Sequence, residues 1–440
     1  MKKALIVTYH WYPAGGPGVQ RILKFAKYLN KFGWKPIILT VAKGEYPALD
    51  FSLKKNIPED IVEYRTKSLE PNFLYKKFMG MKPEQKIPTA ILVDDNPSLK
   101  KKITAWIRLN FFIPDAKIGW LPFAVNEGKK IIREEKPDII FSTSPPPTVH
   151  IIAQKLADSS KLPWIADFRD PWTDIHYYEK QPRLSVVKKF DRALEKKVLN
   201  KADKVVCISK LDITLDFGKK VSPTKCINIP NGYDEEDFEN LNLNYNHKKF
   251  ILLHLGAINK ERNPVSLFKG IKNLAQKKII TPENFMLKFV GNVENIVTKT
   301  IEDLDIGNYI EIIPYKPHKE ALSYIEDASV MLLLITRSEK NKRILPGKTF
   351  EYLRTLKFII ALGPTDGEVA NIINNTNSGI VLDYSNESKI EETLEAQIIK
   401  WKQKDFHNNN ITNIEKYKRE NLTEELINLF DSVIDEKYKK

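Results

Sequence analysis

The sequence predicts an α/β protein of two doubly wound, Rossmann-like domains facing a central cleft, and three observations carry that prediction. A chain of 440 residues exceeds the usual size of one hydrophobic core, which favours two domains of roughly 200 residues each. Short, continuously apolar segments recur along the chain, separated by stretches of helix length. Strands that are apolar on both faces and alternate with helices belong in a parallel sheet covered on both sides. The series breaks once, at Pro230-Asn231-Gly232-Tyr233-Asp234 and the polar run 235–249, and then restarts. Asn-Gly marks a turn and the charge-rich run a linker. The boundary is therefore expected near residue 240, with 1–240 forming one domain, 241–412 a second and 413–440 a terminal helix.

The first series opens with Ala4-Leu5-Ile6-Val7-Thr8. The helix after it carries Val19, Ile22, Leu23, Ala26 and Leu29, a helical spacing that lays one apolar stripe on a sheet. Further strands are expected at 36–41, 138–142, 164–167 and 204–209, and residues 70–120 interrupt the rhythm as an insertion. The second series runs through 250–256, 286–291, 309–314, 330–335, 358–363 and 379–383. The tail places Leu422, Leu426, Leu429 and Phe430 on one side of a helix that packs back across the domains.

Composition narrows the setting. Cys207 and Cys226 lie in apolar segments, in no CxxC arrangement and near no His cluster, which argues for a reducing compartment and against structural zinc. The run Ala4-Leu5-Ile6-Val7 is too short for a signal peptide, and no stretch reaches the length of a membrane span, so the expected location is the cytoplasm. The formal charge of +14 comes mostly from lysines scattered over helix faces, as on a solvated surface. Residues 100–120, KKKITAWIRLNFFIPDAKIGW, interleave cations with Trp106, Phe111, Phe112 and Trp120. Either those aromatics are core, or the segment rests on an anionic membrane, at the inner face of the cell membrane, or grips an acidic acceptor. Nucleic acid is not an expected partner, because no recognition helix or stacking motif accompanies the charge.

In doubly wound domains ligands sit at the carboxyl ends of the strands, and four loops there carry chemistry. His10-Trp11-Tyr12-Pro13-Ala14-Gly15-Gly16-Pro17-Gly18 follows the first strand, and its glycines let backbone approach an anion. It is not a dinucleotide fingerprint: Arg21 stands where a third glycine belongs, and the second strand closes in Thr40-Val41-Ala42-Lys43 without an acid. Asp167-Phe168-Arg169-Asp170-Pro171-Trp172-Thr173-Asp174 gathers three acids and an arginine. That loop is either ordered by an Arg169 salt-bridge network or offers an acid as a base for an acceptor hydroxyl. Gly256-Ala257-Ile258-Asn259-Lys260-Glu261-Arg262 presents Arg262 for phosphate oxygens. Leu345-Pro346-Gly347-Lys348-Thr349-Phe350-Glu351-Tyr352-Leu353 is either an ordinary amphipathic helix or a diphosphate and ribose cradle. In the second case Lys348 and free first-turn amides meet the diphosphate and Glu351 accepts the ribose hydroxyls.

Taken in order, the Pro13-Ala14-Gly15-Gly16 loop, the loop from Asp167 to Trp172, the Asn231-Gly232-Tyr233-Asp234 turn, the loop from Gly256 to Arg262 and the helix from Pro346 to Glu351 resemble the nucleotide-sugar-dependent glycosyltransferases of the GT-B fold, family 4 type. The resemblance implies a retaining transfer without a bound metal or cofactor, the donor mainly on the second domain and a glycan or lipid-linked acceptor mainly on the first. It implies surface polysaccharide or glycolipid synthesis as the setting. Residue by residue it makes Gly15, Gly16, Gly256, Arg262, Arg343, Gly347, Lys348 and Glu351 donor-binding, and Asp170, Arg262 and Lys348 catalytic. Glu351 resembles the second acid of the family's glutamate pair, but Arg343 stands where the first is expected, Ala257 replaces an arginine and Arg169 a histidine. These departures keep two other readings open: a non-catalytic nucleotide-sugar-binding or scaffold protein on the same fold, and a sugar-nucleotide epimerase.

Overall fold

The computed structural model describes residues 1–46, 48–69, 99–175, 181–243, 248–338, 340–405 and 411–438. They form two compact units, Met1–Pro230 with Arg419–Lys440, and Asn231–Lys418. The units divide inside the Asn-Gly turn, earlier than the boundary expected after the polar run. The reason is packing: Tyr233 N donates to Tyr417 O at 3.0 Å, and Tyr233 and Phe238 are buried in the core of the second unit.

Among the described residues the first unit holds a seven-stranded sheet in the order β3-β2-β1-β4-β5-β6-β7. Its strands are β1 (Lys2–Thr8), β2 (Trp34–Val41), β3 (Val62–Thr66), β4 (Ile139–Ser144), β5 (Trp164–Phe168), β6 (Lys204–Cys207) and β7 (Cys226–Asn228). All neighbours pair in parallel, β1 meeting β2 through Leu5 and Ile37 and β4 through Leu5 and Ile140. Successive side chains of a strand face opposite sides. Ala4 and Ile6 accordingly enter one core and Leu5 and Val7 the other. Helices α1 (Pro17–Leu29), α2 (Leu99–Phe111), α3 (Leu121–Glu135), α4 (Thr148–Ser160) and α5 (Ser185–Lys201) belong to this unit.

The second unit holds a six-stranded parallel sheet in the order β10-β9-β8-β11-β12-β13. Its strands are β8 (Phe250–Leu255), β9 (Phe285–Val290), β10 (Ile310–Ile313), β11 (Val330–Leu334), β12 (Phe358–Leu362) and β13 (Gly379–Leu382). Its longer helices are α6 (Val265–Gln276), α7 (Asn295–Asp303), α8 (Lys348–Arg354), α9 (Glu368–Thr376) and α10 (Glu387–Lys402). The alternation recurs: Leu253 and Met331 face one core, Leu252 and Leu332 the other. In both sheets the strand order reverses beside the first strand, β1 and β8, which is the switch point where such sheets bind ligands.

The terminal helix α11 (Arg419–Tyr438) returns to the first unit. Leu422, Leu426, Phe430 and Val433 are buried beside α1, the Phe430 ring centroid lying 5.3 Å from that of Trp34. Each such side chain withdrawn from water contributes about 1.5–3 kcal/mol, enough to hold the tail on this unit. Strands β3 and β7 were not expected from the sequence. Both are sheet edges, β3 alternating with polar residues and β7 only three residues long, so neither carries a continuous apolar run. Within the expected insertion, 70–98 lie outside the described residues. After them come α2 and a loop in which Trp120 is fully buried, while Trp106 and Phe111 are exposed. No helix among the described residues is long and apolar enough to cross a membrane.

Candidate active site

In the second unit the loop after β8 and the helix α8 build one cluster. Gly256 sits at φ +124°, and a Cβ there would overlap Lys348 Nζ. The loop tightens into a short turn that brings Arg262 back over the strand end. Arg262 Nε donates to Thr336 Oγ1 at 2.9 Å and Nη1 to Ala257 O at 3.2 Å. Arg337 braces this turn by donating from Nη2 to Asn263 O at 3.0 Å while stacking on the Tyr384 ring.

Lys348 and Tyr352 stand four apart on α8, hence on one face. They grip the same residue from two sides: Lys348 Nζ donates to Leu255 O, and Leu255 N donates to Tyr352 Oη at 2.8 Å. That clamp fixes α8 against the end of β8. Burial first, and then the Arg262 charge, pull the Lys348 ammonium down to about 7, with Glu351 opposing. Burial also lowers Arg262. Neither cation forms an ion pair with a carboxylate among the described residues; their acceptors are one hydroxyl and two backbone carbonyls, all neutral.

Glu351, one turn beyond Lys348, accepts from His318 Nε2 at 2.8 Å, and both side chains are partly exposed. The expected supply of free first-turn amides is smaller than the sequence suggested. Thr349 N already donates to Pro346 O and Phe350 N to Gly347 O, so cations rather than amides dominate the cluster. Gly347 precedes the helix in helical conformation. Arg343 is buried in a separate short turn against α9.

Two residues of this site escaped sequence reasoning. His254, inside β8, is fully buried and donates from Nδ1 to Leu332 O at 2.9 Å. Burial, Lys348 and Arg262 hold it well below its usual range, so it is neutral, and its Nε2 has no partner among the described residues. His318, which follows β10, is the other. Its pairing with Glu351 spans 33 positions of sequence, which no local pattern encodes.

The strand ends of the first unit are organised differently. Arg21 and Asp167 form a fully buried pair, Nη2 to Oδ1 2.8 Å, and Thr143 Oγ1 donates to Asp167 Oδ2 at 2.6 Å. Arg21 also donates to Pro230 O at 2.7 Å and Ile229 O at 2.9 Å. The salt bridge that orders this loop therefore belongs to Arg21, not to Arg169. Arg169 donates instead to Ser144 O at 2.8 Å and Pro145 O at 2.9 Å, and burial lowers it to about 10 against the pull of Asp167 and Asp170. Its guanidinium lies against Gly18, where a Cβ would overlap it. Gly15 N donates to Ala48 O at 2.9 Å and Gly16 adopts φ +95° ahead of α1. Burial, Arg169 and Lys117 lower His10 to about 3, leaving it neutral. Asp170 is exposed to solvent.

Residues 89–237 match the family described as Glycosyltransferase Family 4. No curated protein matches the chain in sequence. Among solved structures, a glycosyltransferase from Rickettsia africae is similar at 16% identity and TM-score 0.57, with 98% of each chain covered. A sucrose-phosphate synthase from Thermosynechococcus elongatus is similar at 11% identity and TM-score 0.62, covering 99% of this chain and all of that one. The Anabaena protein HepE, solved with UDP and glucose, is similar at 10% identity and TM-score 0.59, covering 98% of this chain and all of that one. The fold is that of the GT-B glycosyltransferases.

Proposed function

We propose that this glycosyltransferase family 4-like chain, with its GT-B fold, transfers a sugar from a nucleotide-diphosphate sugar to a glycan or lipid-linked acceptor in surface polysaccharide or glycolipid synthesis. The observation that carries this reading is the pair Arg262 and Lys348, two desolvated cations at the end of β8 that donate to one hydroxyl and two backbone carbonyls, all neutral. Desolvation with mutual repulsion is unfavourable until an anion arrives. A diphosphate supplies that anion.

In the reaction the acceptor hydroxyl forms its bond to the anomeric carbon on the face from which the diphosphate oxygen departs, so configuration is retained. Charge grows on the leaving diphosphate, and preorganised cations in a desolvated site stabilise it there. Arg262 and Lys348 take this role in place of a metal. Glu351, held by His318, accepts the ribose hydroxyls, and Gly256 lets the diphosphate approach the backbone. Gly347 completes the donor side. On the first unit Gly15 and Gly16 admit the donor's far end and Asp170 positions the acceptor. The protein works in the cytoplasm, at the inner face of the membrane, with the exposed side of residues 100–120, including Trp106 and Phe111, against anionic lipid.

The test is turnover by purified Arg262→Ala and Lys348→Ala proteins. Removing one such donor from an oxyanion site costs about 2.7–4 kcal/mol, roughly a hundred- to a thousandfold in rate, with far-ultraviolet circular dichroism unchanged. Near-normal turnover by both proteins overturns the assignment. Incubation with nucleotide sugars separates the other readings: a scaffold releases no nucleoside diphosphate, and an epimerase returns an isomeric nucleotide sugar without acceptor.

A further inference from the structure

Large apolar side chains left in water usually occur singly, and a contiguous group of them marks an interaction surface. Helix α2 exposes such a group. Leu99, Ile103, Trp106, Ile107 and Phe111 recur at spacings of three or four along it, apart from the adjacent pair Trp106 and Ile107, and are all exposed, Phe111 by 69%. The opposite side of the helix, with Ala105 and Leu109, is buried.

A second helix continues the surface. Asn110, near the end of α2, donates to Trp106 O at 2.8 Å and Pro182 O at 3.1 Å and accepts from Leu184 N at 2.7 Å. One buried amide thereby staples the last turn of α2 to the start of α5. There Leu184, Val186 and Phe190 are exposed, Val186 by 69%. Val186 and Phe190 are four apart and share a face with Lys189.

The charge on the two helices has one sign where it meets water. The α2 sequence, LKKKITAWIRLNF, contains no acid. The only acids of α5 are Asp191 and Glu195, both buried, the first paired with Arg183 at 2.5 Å and the second with Lys220 at 2.9 Å. Lys102, Lys189, Arg192, Lys196 and Lys197 remain exposed. Apolar residues flanked by cations without acids fit an anionic bilayer: the rings enter the headgroup layer and the cations meet lipid phosphates. A protein partner of mixed charge would leave most of these cations unanswered.

We propose that α2 and the start of α5 form a two-helix platform that docks this protein on the anionic headgroup surface of a lipid bilayer. The proposal rests on the membrane contact assigned above to residues 100–120 and extends it to a helix outside that segment. Docking does not depend on turnover, so it stands or falls separately from the transferase reading.

The experiment is flotation of the full chain with vesicles of phosphatidylglycerol and phosphatidylcholine, compared with phosphatidylcholine alone, at low and high salt. The expected result is flotation with the anionic vesicles only, lost as salt rises. The Lys102→Gln, Lys189→Gln double variant should bind about twenty-fivefold more weakly, at roughly fivefold for each cation. Phe190→Ser and Phe111→Ser, at positions 55% and 69% exposed, should each weaken flotation while leaving the melting temperature unchanged. No flotation with anionic vesicles overturns the proposal, as does unchanged flotation by a Lys189→Gln, Phe190→Ser protein. A dimer in light scattering that Trp106→Ser dissolves overturns it too, because the apolar face would then belong to a second copy.

Discussion

The two sheets finish their strands in opposite ways. At the carboxyl ends of the first sheet Arg21 is matched to the Asp167 carboxylate, with both fully buried. At the end of β8 in the second sheet, Arg262 donates to the Thr336 hydroxyl and the Ala257 carbonyl and Lys348 to the Leu255 carbonyl, all neutral oxygens. A buried charge with its partner in place serves architecture, and removing the partner is strongly destabilising. Burial and mutual repulsion disfavour the charged forms of Arg262 and Lys348 in the free protein, with Glu351 opposing at Lys348, and the diphosphate proposed above is the anion that relieves them. Loops alike in sequence, glycines and an arginine after a first strand, thus play different parts.

The comparison breaks most visibly at Arg21. Arg21→Met should strand the Asp167 carboxylate in the core and cost about 3–5 kcal/mol, read as a lowered urea midpoint. A loss below about 1 kcal/mol would mean that the pair is dispensable. On the other side, Glu351→Ala should leave the urea midpoint unchanged and weaken donor binding by about 1.5–3 kcal/mol, the worth of hydrogen bonds to a charged group. Titration calorimetry with a nucleotide sugar measures it, and unaltered affinity removes Glu351 from the site.

The smallest effect is the most diagnostic. Free Lys348 titrates near 7, below its ordinary 10.5, whereas a bound diphosphate favours its ammonium and raises it again. Affinity should therefore be full below about pH 7 and fall by up to about tenfold per pH unit above it, with proton uptake on binding. A diphosphate diester keeps constant charge over this range, so the trend reports the protein. Affinity flat from pH 6 to 9 would show that Lys348 does not meet the diphosphate. Lys348→Arg should flatten the profile while retaining binding.

Much of the fold was legible because burial on both faces leaves a continuous apolar signature, as in Ala4-Leu5-Ile6-Val7 and Phe250-Ile251-Leu252-Leu253. The edge strands β3 and β7 were not legible, since half-exposed or three-residue strands carry no such run. The position of Arg262 just after β8, and of Lys348 and Glu351 at the start of a helix, was legible too, because Gly-Pro punctuation marks strand-to-helix connections.

Sequence alone determined the two α/β series, the loops that end their strands and the residue types those loops carry. Tertiary structure alone decided which charges meet a carboxylate and which meet only neutral oxygens. Arg21 and Asp167 are 146 positions apart, and Lys348 reaches Leu255 across 93. Desolvation and charge balance depend on such distant neighbours, and no local pattern of residues records who those neighbours are.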